Sequence, residues 1–225
     1  MKDAIDIIIV TNSKNSYLWM MTRNAVRTAT SEAGMKVGKV VIVEQCLTAM
    51  PQPGTKMLYY DFEFNYNKCL NLGFSVCNSK YVAFCNNDLF FGSNWARNAI
   101  TAMKKYGYLS VSPTPRHIFK GVLEGYRIGK QLLGWCIIVD RVVMDMIGGF
   151  DYPVNFWYSD NVYGVQLKQA GIKHALVGNS RVKHLVSASL KKVVKGKERA
   201  LMQRGQKKIF EQYKKEKHAN TSIKE

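Results

Sequence analysis

The sequence predicts an α/β protein built on a parallel sheet, and three observations carry that prediction. Short β-branched apolar runs alternate with helix-length segments from the first residues onward. Most of these runs are apolar almost throughout, as strands covered on both faces are. The composition is that of an ordinary globular chain, with 225 residues, 47% hydrophobic, 22% charged, 17 Gly and 5 Pro, which excludes collagen-like, low-complexity and wholly disordered classes.

The elements follow in order. Residues 5–10 (IDIIIV) read as a buried strand closed by Thr11-Asn12-Ser13, which is turn and cap chemistry. A helix is expected over 17–33, stopped by Gly34. Residues 39–44 (KVVIVE) form a second strand, and 46–61, with Pro51, Pro53 and Gly54, a loop. A helix over 65–76 places Cys69, Leu72 and Val76 on one face. Residues 81–85 (YVAFC) are a strand ending in Asn86-Asn87-Asp88. A helix over 93–106 and a strand over 109–112 precede an irregular basic stretch over 113–133. Strands are expected at 135–139 and 174–177, with a helix over 160–170 between them. From 190 onward a basic amphipathic stretch offers Leu190, Val193, Val194, Leu201, Ile209 and Phe210 as one face.

The charge balance is unusual. Lys and Arg number 33 against 16 acids, a formal net charge of +17, and residues 181–225 alone hold 14 basic and 4 acidic side chains. Such a balance suits an anionic partner, whether nucleic acid, an anionic membrane face or a phosphate-bearing substrate, and equally suits a solvated tail. The five cysteines form no CxxC pair and no His/Cys cluster, which argues against a disulfide framework or a structural zinc site. No run of about 18 apolar residues is present to span a membrane. The opening MKDAIDIIIV lacks the long apolar region of a signal peptide, so a cytoplasmic protein is expected.

In open parallel sheets, ligands bind at the carboxyl ends of strands where strand order reverses. The polar strand ends Thr11-Asn12-Ser13, Glu44-Gln45 and Asn86-Asn87-Asp88 are therefore the place to look. Neither GxGxxG after the first strand nor GxxxxGK[ST] occurs, so the common dinucleotide and P-loop sites are not supported. Asp88 at a sheet edge suits a hard divalent cation that in turn holds a diphosphate. It suits a turn or helix cap equally well. Asp160, inside the aromatic segment NFWYSD, reads as a general base in a partly desolvated pocket or as an N-cap. His184 gains a metal-binding role only if the fold brings it to Asp88.

The ordered stretches IDIIIVTNS, VVIVEQ, FNYNKCLNLG, YVAFCNNDLFF, GWCIIVDR, GGFDYPVNFWYSDNVYGVQLKQAG and RVKHL resemble family 2 glycosyltransferases of the GT-A fold. Within that family, the FNYNK, GWC and FW-x-SDN segments are similar to those of small glycosyltransferases of large DNA bacteriophages. The resemblance covers residues 4 to about 190. It implies a GT-A domain over 1–190 with a basic helical extension over 191–225. It also implies a metal-dependent inverting transfer of sugar from a nucleoside diphosphate sugar, UDP-sugar foremost, to an acceptor hydroxyl.

The family's metal-binding acid falls on Asp88 and its histidine on His184, to hold Mn²⁺ or Mg²⁺. Its catalytic base falls on Asp160, while the preceding Glu of the family pair is replaced by Ser159. Donor contacts fall on Thr11, Asn12, Glu44, Asn67, Asn87 and Trp135. The phage-like segments suggest a hydroxymethylated pyrimidine in DNA as acceptor, with Trp157 stacking and Arg116, Lys120, Lys191 and Lys192 meeting phosphates. A glycan or lipid-linked acceptor, or a non-catalytic nucleic-acid-binding module on the same scaffold, are the alternatives.

Overall fold

A computed structural model describes residues 3–115, 119–185 and 196–222. Among the described residues nine strands form one mixed sheet. They are β1 (Ile5–Thr11), β2 (Val37–Glu44), β3 (Lys56–Tyr59), β4 (Tyr81–Asn86), β5 (Leu89–Phe91), β6 (Ser110–Thr114), β7 (Val122–Glu124), β8 (Cys136–Asp140) and β9 (His174–His184). The order is β3-β2-β1-β4-β8-β6-β9-β5, with β7 pairing on β9. β3, β2, β1 and β4 run parallel, β8 runs antiparallel between β4 and β6, and β6 pairs β9 in parallel. The chain leaves β1 toward β2 and β3 on one side, then returns to β4 on the other. The strand order thus reverses at β1, and the carboxyl ends of β1 and β4 open on the crevice this creates.

Among the described residues the helices are α1 (Ser16–Ser31), α2 (Tyr66–Phe74), α3 (Trp95–Tyr106), α4 (Val142–Ile147) and α5 (Ser159–Gln169), which cover the sheet, and α6 (Gly196–Ser222), which packs on α5. The period-2 alternation of the strands sorts their residues between two faces. Ile5, Ile7, Ile9, Ala83, Cys85, Cys136 and Ile138 pack with α1 and α3. Ile8, Val10, Val41, Val43, Val82, Phe84, Ile137 and Val139 pack with α2, α4 and α5. Gly73 lets α2 lie directly on β1, since a Cβ there would fall 2.5 Å from Ile8 Cγ2. At the opposite end of the sheet Asp6 is fully buried and accepts from the amides of Lys39, Asn78 and Ser79 and from the Ser79 hydroxyl. Burial alone would raise its carboxyl, but these four bonds outweigh it and hold the group below its usual value.

Several elements differ from expectation. The loop expected over 46–61 contains β3, and the irregular stretch contains β7. Both are short edge pieces whose residues carry no apolar periodicity of their own, so only the neighbouring strand defines them. The strand expected to end at Val177 runs on to His184, because β5 supplies a partner for its polar second half. On α6 the expected apolar face does not hold. Leu201 is 70% exposed and Ile209 46%, and the residues that bury are Phe210 and Tyr213. They pack with Val154, Val162 and Tyr158, so the docking face is set by the segment that α6 meets. Leu190, Val193 and Val194 lie outside the described residues. Among the described residues no helix is long and apolar enough to cross a membrane.

A neutral histidine stitches the second half of the sheet. His174 is fully buried, with Nδ1 2.8 Å from Ser110 Oγ and Nε2 3.2 Å from Ser112 Oγ. Ser110 Oγ also meets the Tyr163 hydroxyl at 2.8 Å, which ties α5 to β6. Burial pushes the His174 imidazole down to about 3. The unfolded chain takes up this proton near pH 6.5 whereas the folded one does not. Stability from this group is therefore present above that value and falls as the pH drops from about 6.5 toward 3, with a limiting slope of about 1.4 kcal/mol per pH unit. Urea unfolding at a series of pH values is expected to show this component in the wild type and to lack it in His174→Gln.

Candidate functional site

The site is assembled from the carboxyl ends of β1, β2 and β4 and from the strand that pairs with β5. β5 pairs antiparallel with the end of β9, setting Leu89 opposite His184, and the Leu185 amide donates to the Asp88 carbonyl at 2.9 Å. This pairing brings Asp88 and His184 together although 95 residues separate them. His184 Nε2 lies 3.1 Å from Asp88 Oδ1. The distance suits an ion pair, yet neither atom makes a hydrogen bond to the other or to any group, and both atoms are buried. Two buried, unpartnered atoms that face each other are a cost to the fold on their own. A cation between them would satisfy both, so this donor set, one carboxylate and one imidazole, fits a divalent metal. Among the described residues no third His, Cys, Asp or Glu joins them, which leaves coordination positions for a ligand's oxygens.

Trp135 stacks on His184 with ring centroids 5.4 Å apart and planes at 22°. Its carbonyl accepts from the Asn86 amide at 2.9 Å, so one residue fixes both the imidazole and the end of β4. The preceding residue, Gly134, touches Asp160: a Cβ there would lie 2.5 Å from Asp160 Cβ and 2.8 Å from Oδ2. The segment 134–135 therefore braces the histidine on one side and the carboxylate on the other.

Asp160 sits in the first turn of α5, where Oδ1 accepts from the Asn161 amide at 3.0 Å. A helix N-terminus favours an anion, but burial dominates and raises the carboxyl above its usual value. Tyr158 enters this helix at φ +70, left-handed backbone that a bulky residue adopts only when its surroundings hold it there.

Those surroundings are α6. Phe210 stacks on Tyr158 at 5.6 Å and 11°, and Gln206 Oε1 accepts from the Phe156 amide at 2.9 Å. Asp151 Oδ2 accepts from the Tyr213 hydroxyl at 2.6 Å and pairs with Lys217 at 2.9 Å. The C-terminal helix thus clamps the segment that carries Asp160.

Tyr66 is a candidate site position that the sequence did not single out. It is buried at the start of α2, and its hydroxyl donates to Asn86 Oδ1 at 2.8 Å. Burial first, and then neighbouring groups that include Asp160 and Asp88, push its hydroxyl well above the usual range. It stays protonated, within electrostatic reach of both carboxylates. No spacing rule marks it; the only available signal was that a buried tyrosine needs a partner.

The other expected contacts divide. Thr11 and Asn87 are buried and bonded to each other, with Asn87 Nδ2 donating to Thr11 Oγ1 at 3.0 Å and to Thr22 Oγ1 at 3.2 Å. They fasten the end of β1 to the turn before Asp88. Asn12 Nδ2 donates to Gln45 Oε1, while its buried Oδ1 has no partner and is an open acceptor.

Glu44 is at a strand end as expected but is 1% exposed, with Oε1 accepting from the Ser13 and Cys46 amides. It shapes the loops after β1 and β2 and does not face solvent. Asn67 is buried in α2 and donates to the Asp151 carbonyl at 2.6 Å. Trp157 lies edge-on to Phe156 at 5.6 Å and is half-buried. Lys120 lines a cleft of about 390 Å³ with Lys105, Tyr106 and Phe119, which shares no residue with this cluster. Arg116, Lys191 and Lys192 lie outside the described residues.

No family model matches the chain, and no curated protein matches it in sequence. Among solved structures, the crystal structure of GalNAc-T7 with UDP, GalNAc and Mn²⁺ is similar at a TM-score of 0.62 and 12% identity. The likeness covers 80% of this chain and 43% of that one. The fold is of the GT-A type. This chain spans less than half the length of that neighbour. The β5–β9 pairing sets His184 against Asp88, and the segment Gly134-Trp135 links that pair to Asp160.

A raised carboxyl makes Asp160 a liability to the empty fold at neutral pH. Its contribution to stability is full below the unfolded value near 4 and is lost as the pH rises through the higher folded value. Asp160→Asn keeps the oxygen that accepts from Asn161 and removes the buried charge. It is expected to raise Tm at pH 7.5, with the gain vanishing near pH 4, as followed by differential scanning calorimetry.

Proposed function

We propose that this chain is a metal-dependent, inverting glycosyltransferase of the family 2 type. It moves a sugar from a nucleoside diphosphate sugar, UDP-sugar foremost, to an acceptor hydroxyl. The observation that carries this reading is the Asp88–His184 pair, two buried unpartnered ligand atoms 3.1 Å apart at the carboxyl edge of a GT-A sheet. Asp88 and His184 would hold Mn²⁺ or Mg²⁺, which when bound neutralises charge on the leaving diphosphate.

The chain's own residues do the rest. Asn12 Oδ1 offers an acceptor to a nucleobase N–H or a ribose hydroxyl at the end of β1. Trp135 holds His184 in place by stacking. Asp160, its basicity raised by burial, takes the proton of the acceptor hydroxyl. The acceptor oxygen then attacks the anomeric carbon from the face opposite the diphosphate. The bond from that carbon to the diphosphate oxygen breaks, the nucleoside diphosphate leaves with the electron pair, and the configuration inverts. Tyr66, kept protonated, supplies a hydrogen bond that fixes Asn86 beside Asp88.

Binding and chemistry separate cleanly in this arrangement. UDP at about 100 times its dissociation constant with Mn²⁺ is expected to stabilise the protein by roughly 2.7 kcal/mol in a thermal-shift assay. Chelator, Asp88→Ala or His184→Ala is expected to remove most of that shift. An equal shift in all of these conditions would overturn the metal role. Asp160→Asn is expected to keep the UDP shift and lose on the order of 10²–10⁴-fold in turnover. Gly134→Ala, which displaces Asp160, is expected to lower kcat at least about tenfold with the UDP shift intact; unchanged kcat would show that Gly134 does not position the base.

A further inference from the structure

The two segments that converge on Asp160 form a surface of their own. In residues 60–66 the aromatic side chains Tyr60, Phe62, Phe64 and Tyr66 recur at every second position. Residues 156–158 add Phe156, Trp157 and Tyr158. Phe156 joins the two sets, 6.2 Å from Phe64, 6.0 Å from Tyr66 and 5.6 Å from Trp157. The segments are stitched together by the backbone and by two asparagines. The Tyr66 amide donates to the Asn155 carbonyl at 2.7 Å, Asn65 Nδ2 donates to the Val154 carbonyl at 2.9 Å, and Asn155 Nδ2 donates to Glu63 Oε1 at 3.1 Å. The strip runs from Tyr66, within electrostatic reach of Asp160, through half-buried Phe156 and Phe64. Phe62, 75% exposed, lies further along the same segment.

The charge of this strip is opposite to that of the chain. Residues 60–66 and 150–160 hold four carboxylates and no Lys or Arg of their own, in a protein of net charge +17. Asp151 is paired with Lys217, and Lys68 lies over the Tyr152 ring, which leaves Asp61 and Glu63 as the exposed charges between the rings. A polyanion laid here would bring its phosphates against carboxylates, which is repulsive. A sugar meets the same surface favourably, because its C–H face packs on an aromatic ring and its hydroxyls donate to carboxylates.

We propose that this strip is the acceptor site and that the acceptor is a neutral saccharide whose ring packs on Phe64 and Trp157, with hydroxyls held by Asp61 and Glu63. The proposal rests on the transferase reading above. It replaces DNA as the acceptor that the sequence suggests. The exposed cations Arg204, Lys207 and Lys208 lie on α6, outside the strip.

The test is a titration of the full chain, followed by tryptophan fluorescence, with cellobiose, maltose, lactose and methyl mannoside. A 12-base single strand carrying hydroxymethylcytosine is the polyanionic probe, and each titration is run with and without UDP and Mn²⁺. At least one saccharide is expected to bind. Its affinity is expected to fall about tenfold in Phe64→Ala, and similarly in the variant Asp61→Lys at an exposed position. The proposal is overturned if no saccharide binds, or if Phe64→Ala weakens the oligonucleotide and leaves the saccharides unchanged. The UDP shift, read on the same samples, separates the two claims. Saccharide binding without a UDP shift keeps the strip and removes the transferase reading, and a UDP shift without saccharide binding does the reverse.

Discussion

The antiparallel pairing of three residues, Leu89–Phe91 with Val182–His184, is the contact on which the candidate site depends. It is small, but Leu89, Phe91 and Val182 sit within the core that α1 and α3 cover, and it brings a carboxylate after β4 to an imidazole at the end of β9. The sheet then does the rest by register. Once Leu89 faces His184, Asp88 Oδ1 and Nε2 lie 3.1 Å apart, and Trp135, one residue before β8, is in place to stack on the imidazole. The two buried atoms stand at ion-pair distance without a hydrogen bond, an arrangement that a cation bound between them would complete.

A second constraint acts on the carboxylate. Asp160 is held at a helix start reached through left-handed backbone at Tyr158, and braced from the far side by Gly134, which has no Cβ to push it away. Neither feature is favourable locally. Both are held by packing, and α6 contributes much of it through Phe210, Tyr213 and Gln206. The basic C-terminal helix thus has a structural task on its inner face, independent of whatever its exposed lysines meet. The separation of roles is physical: Phe210 and Tyr213 bury against α5, while Lys207, Lys208, Lys214 and Lys215 remain in solvent.

Net charge misleads as a guide to this surface. A total of +17 says that the molecule attracts anions on average. Within residues 60–66 and 150–160, however, aromatic rings and carboxylates stand where much of the chain carries Lys and Arg, so the mean does not describe every part of the surface. Association at long range and recognition at contact are then governed by different residues.

The sequence by itself determined the α/β class, the main strands, the helices that cover them and the short polar strand ends. These are local properties, set by periodicity, β-branching and turn chemistry within a window of a few residues. It also singled out Asp88, Asp160 and His184, because their residue types stand at strand or helix ends. Only the tertiary structure decided that Asp88 and His184 face each other, that Asn67 and Glu44 serve the scaffold, and that Tyr66 stands near both carboxylates. Only it showed that Leu201 and Ile209 stay in water while Tyr213 is buried. Each of these depends on a partner distant in the chain, whether β5 for β9, the Asp151 carbonyl for Asn67, or the 151–158 segment for α6. A local pattern carries no information about a surface that does not exist until the chain has folded.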